Sequence, residues 1–307
     1  MKLSTPGLTP ATLFARETLW QSWLDVEAAL AEVQAEMGMI PQEAADGIRA
    51  AARLDLIGIE ALEADIKVTH APILSLTRLL GRAAGEAGAW VHWGATTQNV
   101  MQTGRILLIR EADSAIRKAL AASLAQLAEM ADTHATTIMA GRTNRQHALP
   151  ITFGFKVAGW IEELSRALDR LDGGGTRLFV LPFGGAVGAM HAFVGEGREL
   201  NRRLAARFGL GDLLVPGRVN NDLFADYIAQ LSLLAMTVER IASVLYLLMT
   251  EEIGEISETL APGTVGSSTM PHKVNPKYVV RVLADAAELR NLAAPAMETG
   301  RSSHEGD

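Results

Sequence analysis

The chain has 307 residues, with 28 Lys or Arg against 35 Asp or Glu, so its formal net charge at pH 7 is −7. A net acidic chain without a long basic run argues against nucleic acid as the main partner. The absence of cysteine excludes disulfides, thiol catalysis, iron–sulfur clusters and Cys-ligated zinc. The start of the chain lacks the apolar core of a signal peptide, and no segment has ~18 uncharged apolar residues. We therefore expect a cytoplasmic protein with no membrane partner.

Helical periodicity dominates the chain. Apolar residues recur at spacings of three and four from Leu19 to Met37, which predicts an amphipathic helix. Three longer patterns cover residues 106–130, 151–171 and 223–254, and the glycines at 173–175 are expected to end the second of them. Helices of this length are typical of a bundle or an oligomer core. The sequence predicts an all-α fold.

The start of the first very long helix is the best place to divide the chain. We expect an N-terminal helical domain over residues 1–104, followed by a central long-helix bundle domain over residues 105–307. A bundle whose last helix begins near Pro276 would normally return, whereas this chain stops soon afterwards. We therefore expect a longer natural protein.

The strongest chemical pattern is the segment 266–276, which reads GSSTMPHKVNP. Its serines supply hydroxyls, its lysine a positive point charge, and its asparagine two donors and an acceptor. Glycine allows an unusual backbone conformation there. The same residues also suit a helix-capping loop, so the chemistry alone leaves both interpretations open.

Two further polar segments lie beside long helices. Residues 92–103, HWGATTQNVMQT, offer threonine hydroxyls and helix-start N–H groups that suit a carboxylate or phosphate. A helix cap with a satisfied histidine is the simpler alternative. Residues 141–150, GRTNRQHALP, combine two arginines, two amides and a histidine, which suit anion binding. A solvated turn between helices explains that composition equally well.

These three segments together resemble the fumarase/aspartase superfamily. Residues 266–276 match its signature, G-S-S-x-M-P-x-K-x-N-P, and residues 92–99 and 141–154 resemble its first and second regions in order and spacing. The resemblance covers essentially the whole chain. It is nearest the adenylosuccinate lyase and 3-carboxy-cis,cis-muconate cycloisomerase branch, and residues 5–10 and 146–154 lean toward the cycloisomerases.

The resemblance implies an architecture and a reaction. It implies a homotetramer whose central helical core is built from four subunits, with active sites that combine the three regions from three chains. The C-terminal helical domain of such proteins would be absent from this chain. The implied reaction removes a proton beside a carboxylate of a small-molecule substrate and leaves a carbanion.

The resemblance also assigns roles by position. Ser267 would be the general base, and His70 and His92 match histidines of the adenylosuccinate lyase branch. Lys273 and Asn275 would hold a substrate carboxylate. The other expected substrate contacts come from all three segments and are Thr96, Thr97, Arg142, Asn144, Gln146 and Ser268. A serine is a poor base unless positive charge, aligned N–H groups or exclusion of water favours its ionised form.

Three positions depart from the superfamily pattern. Asn144 stands where lyases commonly keep the histidine that protonates the leaving group, and an amide cannot be a general acid. Asn99 and Gln102 stand at usual aspartate positions. The loss of the acid with retention of the base segment points away from an ordinary amine-expelling lyase.

Three hypotheses follow. The first is an isomerase of a polycarboxylate, either a cycloisomerase or an epimerase of an aspartate-derived dicarboxylate such as iminodisuccinate. The second is a β-eliminating lyase in which His70 or His92 supplies the acid. The third is a non-catalytic relative, such as the lens crystallins of this superfamily, against which the intact Ser267, Lys273 and Asn275 set weighs.

We expect no metal and no cofactor. The seven histidines are scattered without metal-ligand spacing. The glycine-rich run at 184–188 lacks the strand and fingerprint of a dinucleotide site.

Overall fold

The computed structural model of the chain describes residues 3–5 and 7–306. Helices form most of it, which confirms the predicted all-α fold. The helices α1 to α6 are Arg16–Glu36, Gln42–Ala51, Leu54–Ile57, Ile59–Thr69, Pro72–Ala83 and Thr97–Thr133. The helices α7 to α11 are Phe153–Leu178, Gly197–Phe208, Asp222–Leu248, Tyr278–Arg290 and Ala293–Thr299.

Short strands accompany the helices in the described part of the chain. β1, Ile138–Thr143, and β2, Gln146–Thr152, form an antiparallel hairpin. β3, Val180–Leu181, pairs in parallel with β4, Gly211–Asp212. The hairpin replaces the turn that the composition of 141–150 suggested. Its two turn residues are Asn and Arg, so the Asn-Gly or Asp-Gly signal of a tight hairpin is absent from the sequence.

The contacts divide the chain into two compact units. Unit 1 comprises residues 1–116, 175–221 and 302–307, and unit 2 comprises residues 117–174 and 222–301. Each unit combines separate stretches of the chain. The two units do not divide at residue 104. The predicted domain boundary there stays a prediction, because a compact unit is not necessarily a domain.

Helix α1 forms the centre of unit 1. The predicted helix is confirmed, but it buries more than one stripe, since residues 22–31 are all buried. It packs against α2, α3, α5 and α8, and a helix that is buried on all sides belongs to a core. Its buried polar side chains include Glu27 and Gln34.

Helix α9 organises unit 2, where α10 and α11 pack against it. The expectation that the glycines at 173–175 end the preceding long helix is wrong, because α7 continues to Leu178. A Cβ atom on Gly174 would lie 3.3 Å from Cγ of Gln230 and 3.7 Å from the Tyr227 ring. The missing side chain therefore lets α7 pass close to α9, at a cost in helix propensity of about 1 kcal/mol.

The third long helix is shorter than the pattern over 223–254 suggested. α9 ends at Leu248, and a turn follows in which Gly254 has a φ of +60° and donates its N–H to the Thr250 carbonyl at 2.7 Å. By length and composition α9 qualifies as a membrane-spanning helix, and most of its most apolar stretch is not buried within this chain. Core helices of oligomers share both properties.

Candidate active site

The predicted site residues lie in both compact units. His70 and residues 92–103 belong to unit 1, whereas the β1–β2 hairpin and residues 266–276 belong to unit 2. In unit 2, no hydrogen bond or ion pair among the described residues joins a predicted residue of the hairpin directly to one of the loop.

Ser267 lies in a loop that folds back on itself. The Asn275 N–H donates to the Gly266 carbonyl at 3.2 Å, which closes the loop at its base. A Cβ atom on Gly266 would lie 2.9 Å from the Lys273 carbonyl oxygen, so only glycine allows this approach. Inside the loop, the Ser267 Oγ accepts the N–H groups of Met270 at 3.2 Å and Thr269 at 3.4 Å. Two N–H dipoles that point at this oxygen favour its ionised form.

The other predicted loop residues are exposed or half-buried. Ser268 and Lys273 are exposed and Asn275 is half-buried. The Lys273 ammonium makes no ion pair among the described residues, so it is free to receive a carboxylate. The loop thus presents the predicted base and a positive charge within seven residues.

The second motif forms the tip of the β1–β2 hairpin. Asn144 and Arg145 connect the strands and have φ values of +48° and +63°, as in a two-residue turn of type I′. Asn144 and Gln146 are exposed, and their side chains make no hydrogen bond among the described residues. The residue at the expected acid position is therefore an exposed amide at a turn.

Arg142 is paired with Glu255, a residue outside the three polar segments. Its guanidinium donates to Glu255 Oε2 at 3.0 Å and to Oε1 at 2.7 Å. The side chains are only 15% and 26% exposed. The hydrogen bonds from Arg142 lower the pKa of Glu255, although partial burial opposes this. In this structure Arg142 already binds a carboxylate of its own chain.

Glu258 connects the two ends of the segment that contains the signature loop. Its carboxylate accepts the backbone N–H groups of Lys277 and Val279 at 2.7 Å and of Tyr278 at 3.1 Å. Burial opposes ionisation of Glu258, but these hydrogen bonds outweigh it and lower its pKa. They also satisfy N–H groups that the start of α10 leaves without helical partners.

In unit 1, His92 is paired with a buried carboxylate. The His92 Nδ1 lies 2.6 Å from Glu27 Oε1, and the Glu27 side chain is 1% exposed. Burial of His92 lowers its pKa, but the hydrogen bond and charge of Glu27 outweigh that effect and raise it. His92 also has a φ of +62°, a conformation that few residues other than glycine adopt.

The remaining predicted residues of unit 1 are more exposed. His70 ends α4 with a φ of +51°, and its side chain is exposed without a hydrogen-bond partner among the described residues. Thr97 is exposed and starts α6. Thr96 is half-buried, and the Arg218 guanidinium lies 3.5 Å from its hydroxyl. Arg218 supplies a positive charge beside the first motif.

The amide of Asn99 has a structural explanation. Its side chain is fully buried, donates to the Pro182 carbonyl at 2.9 Å and accepts the Gly185 N–H at 2.8 Å. A carboxylate accepts but cannot donate. An ionised aspartate could therefore accept the Gly185 N–H but could not donate to the Pro182 carbonyl. The bond from Gly185 joins the glycine-rich run at 184–188 to the first motif. Gln102 also acts as a donor, to the Arg218 carbonyl at 2.8 Å.

Four charged residues that no sequence motif marks lie beside these segments in the structure. They are Glu27, Arg218, Glu255 and Glu258. All lie outside the three polar segments, and nothing in their local pattern singles them out. In the described part of the chain, no group of three or more His, Asp or Glu side chains is arranged to hold a metal ion.

Comparison with known proteins identifies the family. A family model described as a lyase matches residues 10–286. The chain is 38% identical over 298 residues to an adenylosuccinate lyase of Methanothermobacter thermautotrophicus, covering 96% of this chain and 66% of the relative. It is 36% identical over 282 residues to an N-acetyl-S-(2-succino)cysteine lyase of Enterococcus italicus, covering 92% of this chain and 60% of the relative.

The fold has a close structural counterpart. The crystal structure of a 3-carboxy-cis,cis-muconate lactonizing enzyme from Pseudomonas putida superimposes with a TM-score of 0.89 at 34% identity, over 97% of this chain and 68% of the other. The chain spans less than two thirds of the length of the two curated lyases named above, at 66% and 60%. The match over residues 10–286, together with this fold, shows that the chain belongs to the lyase family of the fumarase/aspartase superfamily.

Proposed function

We propose that this chain belongs to an enzyme that removes a proton beside a carboxylate of a di- or polycarboxylate, with Ser267 as the base, and that the enzyme is an isomerase. The observation that carries the proposal is the environment of Ser267, whose Oγ accepts two backbone N–H groups of its own loop. Such N–H groups stabilise an alkoxide without a neighbouring general base. Lys273 and Asn275 hold the substrate carboxylate.

The position of Asn144 favours isomerisation over elimination. An exposed amide at the hairpin tip cannot protonate a departing amine. In an isomerase the carbanion needs only a proton at carbon, on the other face for an epimerase, or an internal bond change for a cycloisomerase. We favour an aspartate-derived dicarboxylate such as iminodisuccinate for the epimerase, and a carboxymuconate for the cycloisomerase. The muconate lactonizing enzyme supports the latter.

A β-eliminating lyase is the second candidate. Two of the relatives are lyases by name, and the His92–Glu27 pair offers an acid in place of Asn144. Such an enzyme would release fumarate from an adenylosuccinate-like or aspartate-like substrate. The non-catalytic alternative is disfavoured, because Ser267, Lys273 and Asn275 are all present.

The proposal includes a cytoplasmic homotetramer. Large apolar side chains of α9 stay exposed in the single chain, among them Leu233, Met236, Tyr246 and Leu247. Exposed apolar surface on a long helix is expected where helices of neighbouring subunits pack together. The active sites would be shared between subunits, and no nucleic acid, membrane, metal or cofactor would take part.

The test is NMR spectroscopy in D₂O with the 307-residue chain and a panel of succinyl, aspartyl and muconate-type compounds. Deuterium beside a carboxylate with inversion and without fumarate supports an epimerase, and lactone formation or opening supports a cycloisomerase. Fumarate supports the lyase instead. Ser267→Ala should abolish exchange, whereas Ser257→Ala, the same change at an exposed serine, should preserve it. Retained exchange in Ser267→Ala rejects Ser267 as the base.

A further inference from the structure

An open pocket lies in unit 2, between residues of α7 and α9. Its volume is about 420 Å³, which is within the range of small-molecule sites. Four of the residues that line it occupy positions i, i+3, i+4 and i+7 of α7, which is one face of a helix. They are Lys156, Gly159, Trp160 and Glu163, and α9 contributes Arg240.

Lys156 is the unpaired charge of this pocket. Its side chain is half-buried and makes no hydrogen bond or ion pair among the described residues. The acids of the pocket already have partners. Arg240 donates to Glu163 at 3.0 and 2.5 Å, and Arg166 pairs with Glu162 at 2.7 Å. One positive charge in the pocket is therefore left without a carboxylate.

The surroundings of Lys156 disfavour its charged form. Partial burial lowers the pKa of Lys156, and the nearby charge of Arg142 lowers it further. Arg240 acts in the same direction and Glu255 in the opposite one. An anion beside the ammonium would favour the charged form, because it supplies the opposite charge that the described part of the chain does not provide.

Gly159 keeps the pocket open. A glycine in the interior of a helix is less stable than an alanine there. Apart from its chain neighbours and the backbone of α7, no atom of the described residues lies within 4 Å of the position that a Cβ atom on Gly159 would take. Close packing therefore explains Gly174 but does not explain Gly159, whereas an open pocket does.

The walls of the pocket are largely apolar. They are formed by Ile151, Phe155, Trp160 and Val244, and Phe155 is 69% exposed. An exposed ring in the same pocket as an uncompensated positive charge fits a ligand that has an apolar body and one anionic group. A carboxylate fits better than a phosphate, because the second negative charge of a phosphate would find no free cation and would face the carboxylates of α7.

We propose that this pocket binds a small organic carboxylate, with the carboxylate on the Lys156 ammonium and the apolar body against Phe155. The inference goes beyond the proposed function and does not rest on it, since none of the residues that line the pocket is a predicted substrate contact.

The first experiment titrates the 307-residue chain with benzoate in a calorimeter. Lys156→Met should weaken binding by about tenfold or more, as loss of the charged partner of a carboxylate does. Lys118→Met, the same change at an exposed lysine of the same unit, should leave the affinity unchanged. Gly159→Leu should also weaken binding, because the new side chain enters the open space of the pocket. Absence of benzoate binding, or equal binding by Lys156→Met and the wild type, overturns the proposal.

Two further probes test the class of ligand. Acetate, which lacks the apolar body, should bind about fivefold or more weakly than benzoate, and inorganic phosphate should bind more weakly too. Phosphate that binds as tightly as benzoate overturns the assignment to an organic carboxylate. Lys273→Met should leave the affinity for benzoate unchanged. If Lys273→Met loses binding and Lys156→Met keeps it, benzoate occupies the signature loop and the proposal fails.

The last measurement follows Lys156 itself, by NMR of the chain with ¹³C-labelled lysine. Saturating benzoate should raise the pKa of Lys156, because an adjacent negative charge favours the ammonium form. The titration of Lys118 should not move, and the spectrum of Lys156→Met assigns the signal. A Lys156 titration that is unchanged by saturating benzoate places the ligand elsewhere and overturns the proposal.

Discussion

Arg142 and Glu255 lie 113 residues apart in the chain and form an ion pair with two hydrogen bonds, of 3.0 and 2.7 Å. The pair ties the β1–β2 hairpin to the segment that leads into the signature loop. An arginine that is predicted to bind substrate is thus already neutralised by its own chain. In this structure its guanidinium holds the hairpin against that segment.

This pairing predicts a measurable coupling. Arg142→Met and Glu255→Met should each lower the free energy of unfolding, and the double variant should lose less than the sum of the two. We expect a coupling of about 1 kcal/mol, since the pair is bidentate but its side chains are only partly covered. Urea unfolding of the four proteins measures it. Arg145→Met should show no coupling with Glu255→Met, because Arg145 has no ion pair among the described residues; additive losses for Arg142 and Glu255 would contradict the pairing.

The buried amide of Asn99 predicts the outcome of restoring an aspartate. Asn99→Asp removes the donor to the Pro182 carbonyl and places a charge in a fully buried site. We expect a loss of about 2–4 kcal/mol at neutral pH. The loss should shrink in acid, because a protonated carboxyl can donate again. Thermal unfolding across pH, with the exposed Asn220→Asp as control, measures this. Equal stability of both variants at neutral pH would show that the amide is not required.

The hydrogen bonds of Glu258 are expected to protect the backbone amides around the signature loop from hydrogen exchange. Glu258→Gln should raise hydrogen exchange at the amides of residues 277–279 by about tenfold or more, since charge-assisted hydrogen bonds to three N–H groups are weakened. Exchange within 266–275 should rise as well. Glu252→Gln, at an exposed glutamate of the same segment, is the matched control. Mass spectrometry of peptides resolves these regions, and equal exchange in both variants would argue against the connection.

The pH dependence of the same contact follows from the lowered pKa of Glu258. A carboxyl whose pKa is lower in the folded state contributes stability above its unfolded pKa, about 4.3. That contribution is lost as the pH falls through the lowered, folded pKa. Wild-type exchange at residues 277–279, corrected for the intrinsic rate, should therefore approach that of Glu258→Gln in acid. A difference between the two that persists at the lowest pH would require another cause.

The turn at Asn144 predicts that a histidine is tolerated there. Asn144→His keeps an exposed position with a φ of +48°, which His adopts more readily than most residues, so stability should fall by less than about 1 kcal/mol. If the missing acid is what prevents elimination, fumarate should appear in the NMR assay. Arg145→His places the same ring one residue away and should not produce fumarate. Absence of fumarate from Asn144→His would show that more than this acid separates the protein from a lyase.

The polar segments were identifiable because each is short and contiguous. The hydroxyls, lysine and amide of 266–276 lie within eleven residues, so their chemistry is visible without a fold. The helical character of the long segments was equally visible, since the periodicity of apolar residues is a local property. The end of α7 has no such local signal. The glycines at 173–175 predict a helix end, but α7 continues past them to Leu178, and Gly174 lies where α9 comes close.

The sequence by itself determined the helical class, the superfamily and the residues that carry the predicted chemistry. Only the tertiary structure decided their partners: Glu27 lies 65 residues from His92, Glu255 lies 113 residues from Arg142, and Asn99 binds a carbonyl 83 residues away. The physical reason is that a long-range contact depends on how whole helices pack, and a local pattern carries no information about that packing. The chemical groups are thus supplied by short motifs, and residues distant in the chain hold those groups in place.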